Sequence, residues 1–114
     1  MAKSILTEYE DISVFSGRPA EAKHHLCFGR GIRELADADG IFIPLTHSEH
    51  NLSPQGTINQ IHGNPAAEKL SKMCGQLAFE KHYITEFLRE HYKFDGIEEK
   101  AREAFRKRYG VSYL

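Results

Sequence analysis

The chain has 114 residues, 27% charged and 40% hydrophobic, with a formal net charge of −1. This balance suits one globular domain and excludes both a disordered tract and a polycation, so a nucleic-acid surface must be a local patch. Two cysteines without CxxC spacing exclude a disulfide framework. No apolar run nears the roughly 18 residues of a membrane span, and Met1-Ala2-Lys3-Ser4 opens no secretory signal, so a soluble cytoplasmic protein with reduced thiols is expected.

In chain order, residues 4–16 hold Ile5, Leu6, Ile12, Val14 and Phe15, which can supply a short strand or hairpin. Ser16-Gly17-Arg18-Pro19 is a turn signal. Residues 22–28 read as a strand carrying His24-His25. Gly29-Arg30-Gly31 opens a loop, 32–38 a short helical turn ending at Asp39-Gly40, and 41–45 a second strand with Pro44 near its edge. Thr46 can cap a short helix over 47–52, and residues 53–63 read as an irregular loop. Asn64-Pro65 is a helix start, and Leu70, Met73, Cys74, Leu77 and Ile84 give the following helix, about 65–92, an apolar core-facing stripe. A last helix, about 96–109, is expected to open on an Asp95/Glu98 capping box. Its inner stripe is Ile97, Ala101, Ala104 and Phe105, and it stops at Gly110. No repeat or linker divides the chain, so 1–114 is one α+β domain, with the two C-terminal helices supplying most of the core.

The histidines are where chemistry enters. Adjacent residues on a strand point to opposite faces, so one imidazole of His24-His25 can hold a metal while the other handles a proton. Metal-assisted phosphodiester hydrolysis uses that division of labour. Arg30 and Arg33 flank the pair and can contact phosphate. Other candidates have plainer readings. His47, His82 and His91 are exposed or structural residues. Cys27 is a buried thiol rather than a partner for His25 in nucleophilic attack. Lys100, Arg102, Arg106, Lys107 and Arg108 form a solvated face through i,i+4 pairs, Glu98–Arg102 and Glu103–Lys107.

The order strand with His-His, loop, strand, helix with another His resembles the HNH (His-Me finger, ββα-metal) endonucleases, above all the short ones of phages and prophages. Gly17-Arg18-Pro19, His24-His25, Gly29, Arg33, Gly40, Leu45, His50-Asn51, Gly56 and His62 carry the resemblance, together with the ending Tyr109-Gly110-Val111-Ser112-Tyr113-Leu114. It implies a ββα-metal core over about 22–52, extended by two C-terminal helices. It also implies an intracellular DNA endonuclease in a bacterial host, with His25 as general base, His24 and His50 as metal ligands and His62 as the third. One divalent cation (Mg, Mn, Ni or Zn) would serve it, and a homodimer could cut both strands.

Three departures stand against that pattern. Ser13-Val14-Phe15-Ser16 and the pair Thr46 and Glu49 replace the cysteines of the family's zinc knuckle, so no structural zinc is expected there. No asparagine lies between 26 and 50 to orient the base, and the pI near 6.6 is low for a protein that grips phosphate. The alternative is therefore a catalytically inert descendant that binds nucleic acid or a host protein, as a phage inhibitor or adaptor. A third reading gives the histidines a zinc that serves stability alone.

Overall fold

The computed structural model describes residues 2–50, 61–91 and 95–114. Its centre is an antiparallel ribbon of β1 (Ala22–His25) and β2 (Phe42–Leu45), in register with Ala22 opposite Leu45 and His25 opposite Phe42. Helix α1 (Ile32–Ala38) joins the two strands and is followed at Gly40 by a left-handed residue, φ 74°. A side chain at Gly40 would also run into the carbonyl of Lys3, so glycine is required there on two counts.

Among the described residues, three further helices follow: α2 (His47–His50), α3 (Pro65–Glu90) and α4 (Ile97–Tyr109). The single turn of α2 is held by a reciprocal capping box. Thr46 Oγ1 accepts the Glu49 N–H at 3.3 Å, and the Glu49 carboxylate accepts the Thr46 N–H at 2.9 Å. That carboxylate also accepts the Ser13 hydroxyl. Burial works against its charge, yet the bonds from Ser13, Thr46 and Ser16 hold its pKa below the ordinary value. The four positions where the resemblance puts zinc ligands are thus joined around one carboxylate. Helix α3 starts as read, with Pro65 in the first turn and Asn64 Oδ1 accepting the Ala67 N–H at 3.2 Å.

Several expectations are corrected. Residues 4–16 form no strand or hairpin; they follow an irregular path marked by an isolated bridge between Ile12 and Pro19. The first strand ends at His25 rather than 28. Of the stripe assigned to the core on α3, Leu70 (60%), Leu77 (52%) and Cys74 are exposed, while Met73 and Ile84 are half-buried. Its buried residues are Ser71, Gly75, Gln76 and Glu80. Helix α4 opens on Gly96 with no side-chain cap, so the Asp95 capping box is not made. Arg102 reaches across to Glu80 of α3 (3.1 and 3.3 Å) instead of pairing with Glu98, and Glu103 pairs with Arg106.

The core is correspondingly different. Leu26, Cys27, Ala36, Ile41, Ile43 and Leu45 build it around the ribbon and α1, and Phe105 and Tyr109 close it from α4. Helix α3 contributes mainly closeness of approach. A Cβ added at Gly75 would lie 2.7 Å from Cys27 Sγ and 2.9 Å from Leu26 Cβ. Among the described residues, no helix is long and apolar enough to cross a membrane.

Candidate metal centre

The ribbon sends His24 and His25 to opposite faces, as strand geometry demands. His24 is fully buried, and its ring meets those of His50 and His62 edge-on, each with centroids 5.1 Å away; His50 and His62 stand 4.8 Å apart. One nitrogen from each of the three lies within 4.8 Å of the others. Nitrogens on a tetrahedral zinc stand about 3.3 Å apart, so small ring rotations would close this group on an ion. Phe28 covers it, with its centroid 4.6 Å from that of His62.

His62 arrives although it lies twelve residues beyond His50. Part of the loop expected over 53–63, with Asn51 and Gly56 of the motif, falls outside the described residues. Its two ends are nevertheless zipped together: the Ile61 N–H donates to the Glu49 carbonyl and the His62 N–H to the His50 carbonyl, both at 3.3 Å. These backbone bonds bring His62 beside His50 without the i,i+4 spacing of a single helix.

The electrostatics favour neutral rings at His24 and His50. Burial, then the charges of His50, His62 and His25, bring the His24 pKa down to about 3. Burial, then His62, Arg33, His25 and His47, bring that of His50 down to about 4. Neutral imidazoles with available lone pairs are what a metal requires. The donor set passes a second test in His24 Nδ1, a buried atom with no hydrogen-bond partner. An unsatisfied buried polar atom costs about 1–3 kcal/mol, and a bound cation would remove that penalty.

On the opposite face, His25 Nε2 lies 2.8 Å from Asp37 Oδ1 of α1. The hydrogen bond from His25 is the main cause holding the Asp37 carboxyl below its ordinary pKa, and Lys23, 3.5 Å away, works in the same direction. Arg33 is exposed, and its charge is among those acting on His50. Arg30 is exposed. Cys27 is fully buried, its thiol pushed up to about 12 by burial and its Sγ turned to the Lys72 carbonyl, so it offers no nucleophile. His47, His82 and His91 are exposed.

Sequence reasoning thus names the three clustered histidines and His25, and misses their partners Ser71, Glu68 and Asp37. A search for an asparagine could not find Asp37, since a carboxylate accepts the same bond. Only the i,i+3 spacing of Glu68 and Ser71 on one helix face hints at a shared role. No protein-family model, curated protein or solved structure matches this chain.

Proposed function

We propose that this chain is a metal-dependent, HNH-like endonuclease that hydrolyses phosphodiesters, with DNA as substrate. The observation that carries the reading is the convergence of His24, His50 and His62, one of them with an orphaned buried nitrogen. The residue next to that ligand in the chain is a histidine paired with a carboxylate. A divalent cation held by the three rings would supply Lewis-acid stabilisation of charge on the phosphoryl group and the leaving oxygen. Three imidazoles suit zinc, nickel or another borderline ion better than magnesium, which prefers oxygen ligands.

His25 is the general base. With Nε2–H donated to Asp37, its free lone pair is on Nδ1, where it can accept the proton of an attacking water. Asp37 thereby takes the orienting role for which the sequence offers no asparagine. Arg33, already within electrostatic reach of His50, contacts the substrate phosphate, with Arg30 as an outer contact.

A specific observation favours a second reading. His24 is fully buried and His25 only 7% exposed, which gives a substrate phosphate little access, as in an inert descendant that keeps its histidines while binding nucleic acid or a protein. Cleavage of supercoiled plasmid with Mg²⁺, Mn²⁺, Ni²⁺ or Zn²⁺ tests between the two. Metal-dependent nicking by the wild type that is lost in His25→Ala is the expected outcome. No cutting of plasmid or single strands by the wild type would sink the nuclease and leave the binding module. Equal cutting by both proteins would remove His25 from the role of base.

A further inference from the structure

The hydrogen bonds behind the histidine group lead to one face of α3. Ser71 Oγ has a single hydrogen, donated to the Leu26 carbonyl at 2.8 Å. Towards His24 Nε2, also 2.8 Å away, the hydroxyl therefore offers only lone pairs. The proton of His24 must sit on Nε2, which leaves the lone pair on Nδ1, the atom that has no partner. One turn earlier, Glu68 Oε2 lies 3.2 Å from His62 Nδ1. A carboxylate only accepts, so His62 carries its proton on Nδ1 and its lone pair on Nε2.

We propose that Glu68 and Ser71 are the positioning residues of the histidine centre, fixing His24 to ligate a cation through Nδ1 and His62 through Nε2. The proposal rests on the metal-binding reading above and assigns the atoms that perform it. Positions three apart lie on one helix face, so α3 delivers both partners as a unit. Through the Leu26 carbonyl, Ser71 also ties that face to the end of β1, where His24 is carried. Outer partners of this kind set the tautomer and orientation of a ligand, and losing one lowers metal affinity about 10–100-fold.

The test uses the full chain stripped of metal, with zinc as the probe. Long-range ¹H–¹⁵N correlation on the apo wild type should show His24 protonated at Nε2 and His62 at Nδ1. Zinc affinity, read by competition with a chromophoric chelator, should fall about 10–100-fold in Ser71→Ala and in Glu68→Ala and partly recover in Ser71→Thr. Glu68 is half-exposed, so its variant keeps the test open if the buried Ser71→Ala fails to fold. An apo His24 protonated at Nδ1 would overturn the proposal. So would folded variants that bind zinc as tightly as the wild type. A wild type that takes up no zinc, yet shows the expected tautomers, would overturn the metal reading itself and the assignment of ligating atoms with it.

Discussion

At the scale of single residues, His24 and His50 are stored in a state that acid should attack. His24 titrates at 6.5 in an unfolded chain and at about 3 when buried in the folded one. Between those values the unfolded chain binds the proton and the native one does not, so stability rises with pH across that window and falls on acidification. For His24 alone the slope is about 1.4 kcal/mol per pH unit, and His50, lowered to about 4, adds to it in the same direction. Urea unfolding of the metal-free protein at pH 7, 6, 5 and 4 should show a falling midpoint, and His24→Gln should flatten the fall. A midpoint unchanged between pH 7 and 4 would mean that the rings are not held neutral. These residues were legible in the sequence because histidine at ordered spacing is conspicuous. The partners of His24 and His62, and Asp37 beside His25, were not, because Ser71, Glu68 and Asp37 look like any helical polar residue until the fold says which way they face.

At the scale of elements, α3 shows where periodicity misleads. Its leucines recur at helical spacing, which marks an apolar face, but periodicity cannot say whether that face is covered. The buried face is chosen by closeness instead. Gly75 lets the helix settle onto Cys27, Leu26 and Ile41, and Ser71 is then near enough to bond His24. Gly75→Ala weighs two opposed effects. Alanine gains about 1 kcal/mol of helix propensity. Its methyl, 2.7 Å from Cys27 Sγ and 3.1 Å from Ile41 Cγ2, would force repacking at a cost of about 1–3 kcal/mol. The net expectation is a variant less stable than wild type by chemical denaturation, with weakened zinc binding because Ser71 is pushed from His24. A Gly75→Ala protein more stable than wild type would show that the approach of α3 is looser than described. The short elements were easier to read. Thr46 and Asn64 cap the helices they were assigned to, since capping is decided within one turn. The Asp95 cap failed where Gly96, at φ 79°, entered the helix by a left-handed residue.

At the scale of the whole molecule, the question is what holds α3 in place, given that its own buried face is so polar. The answer is α4 and the tail. Arg102 grips the Glu80 carboxylate, Gln76 accepts the Tyr113 N–H at 2.6 Å and donates to Glu80 and Ser112, and Phe105 meets Phe79 edge-on at 5.3 Å. From the same helix Tyr109 and Arg108 both donate to Asp39, just past the C-terminal end of α1, at 2.7 and 2.6 Å. Helix α4 therefore fastens the element that positions His24 and His62 and the one that carries Asp37. Ending the chain at residue 96 would expose the core side of Phe79 and leave Gln76 and Glu80, both buried, with only each other of their present partners. The expected product is not a smaller working site but a chain with reduced helicity, rapid proteolysis and no zinc affinity. The point variant Arg102→Ala should keep the fold and lose some stability, because it takes the half-exposed guanidinium from a Glu80 carboxylate that is only 11% exposed and leaves Gln76 as its remaining donor. Circular dichroism and limited proteolysis on both proteins decide the matter. A truncated chain that still folds and binds zinc would show that the ribbon, α1 and the loop ends hold the three histidines together without α4. The C-terminal helices would then be an addition to the centre rather than its support.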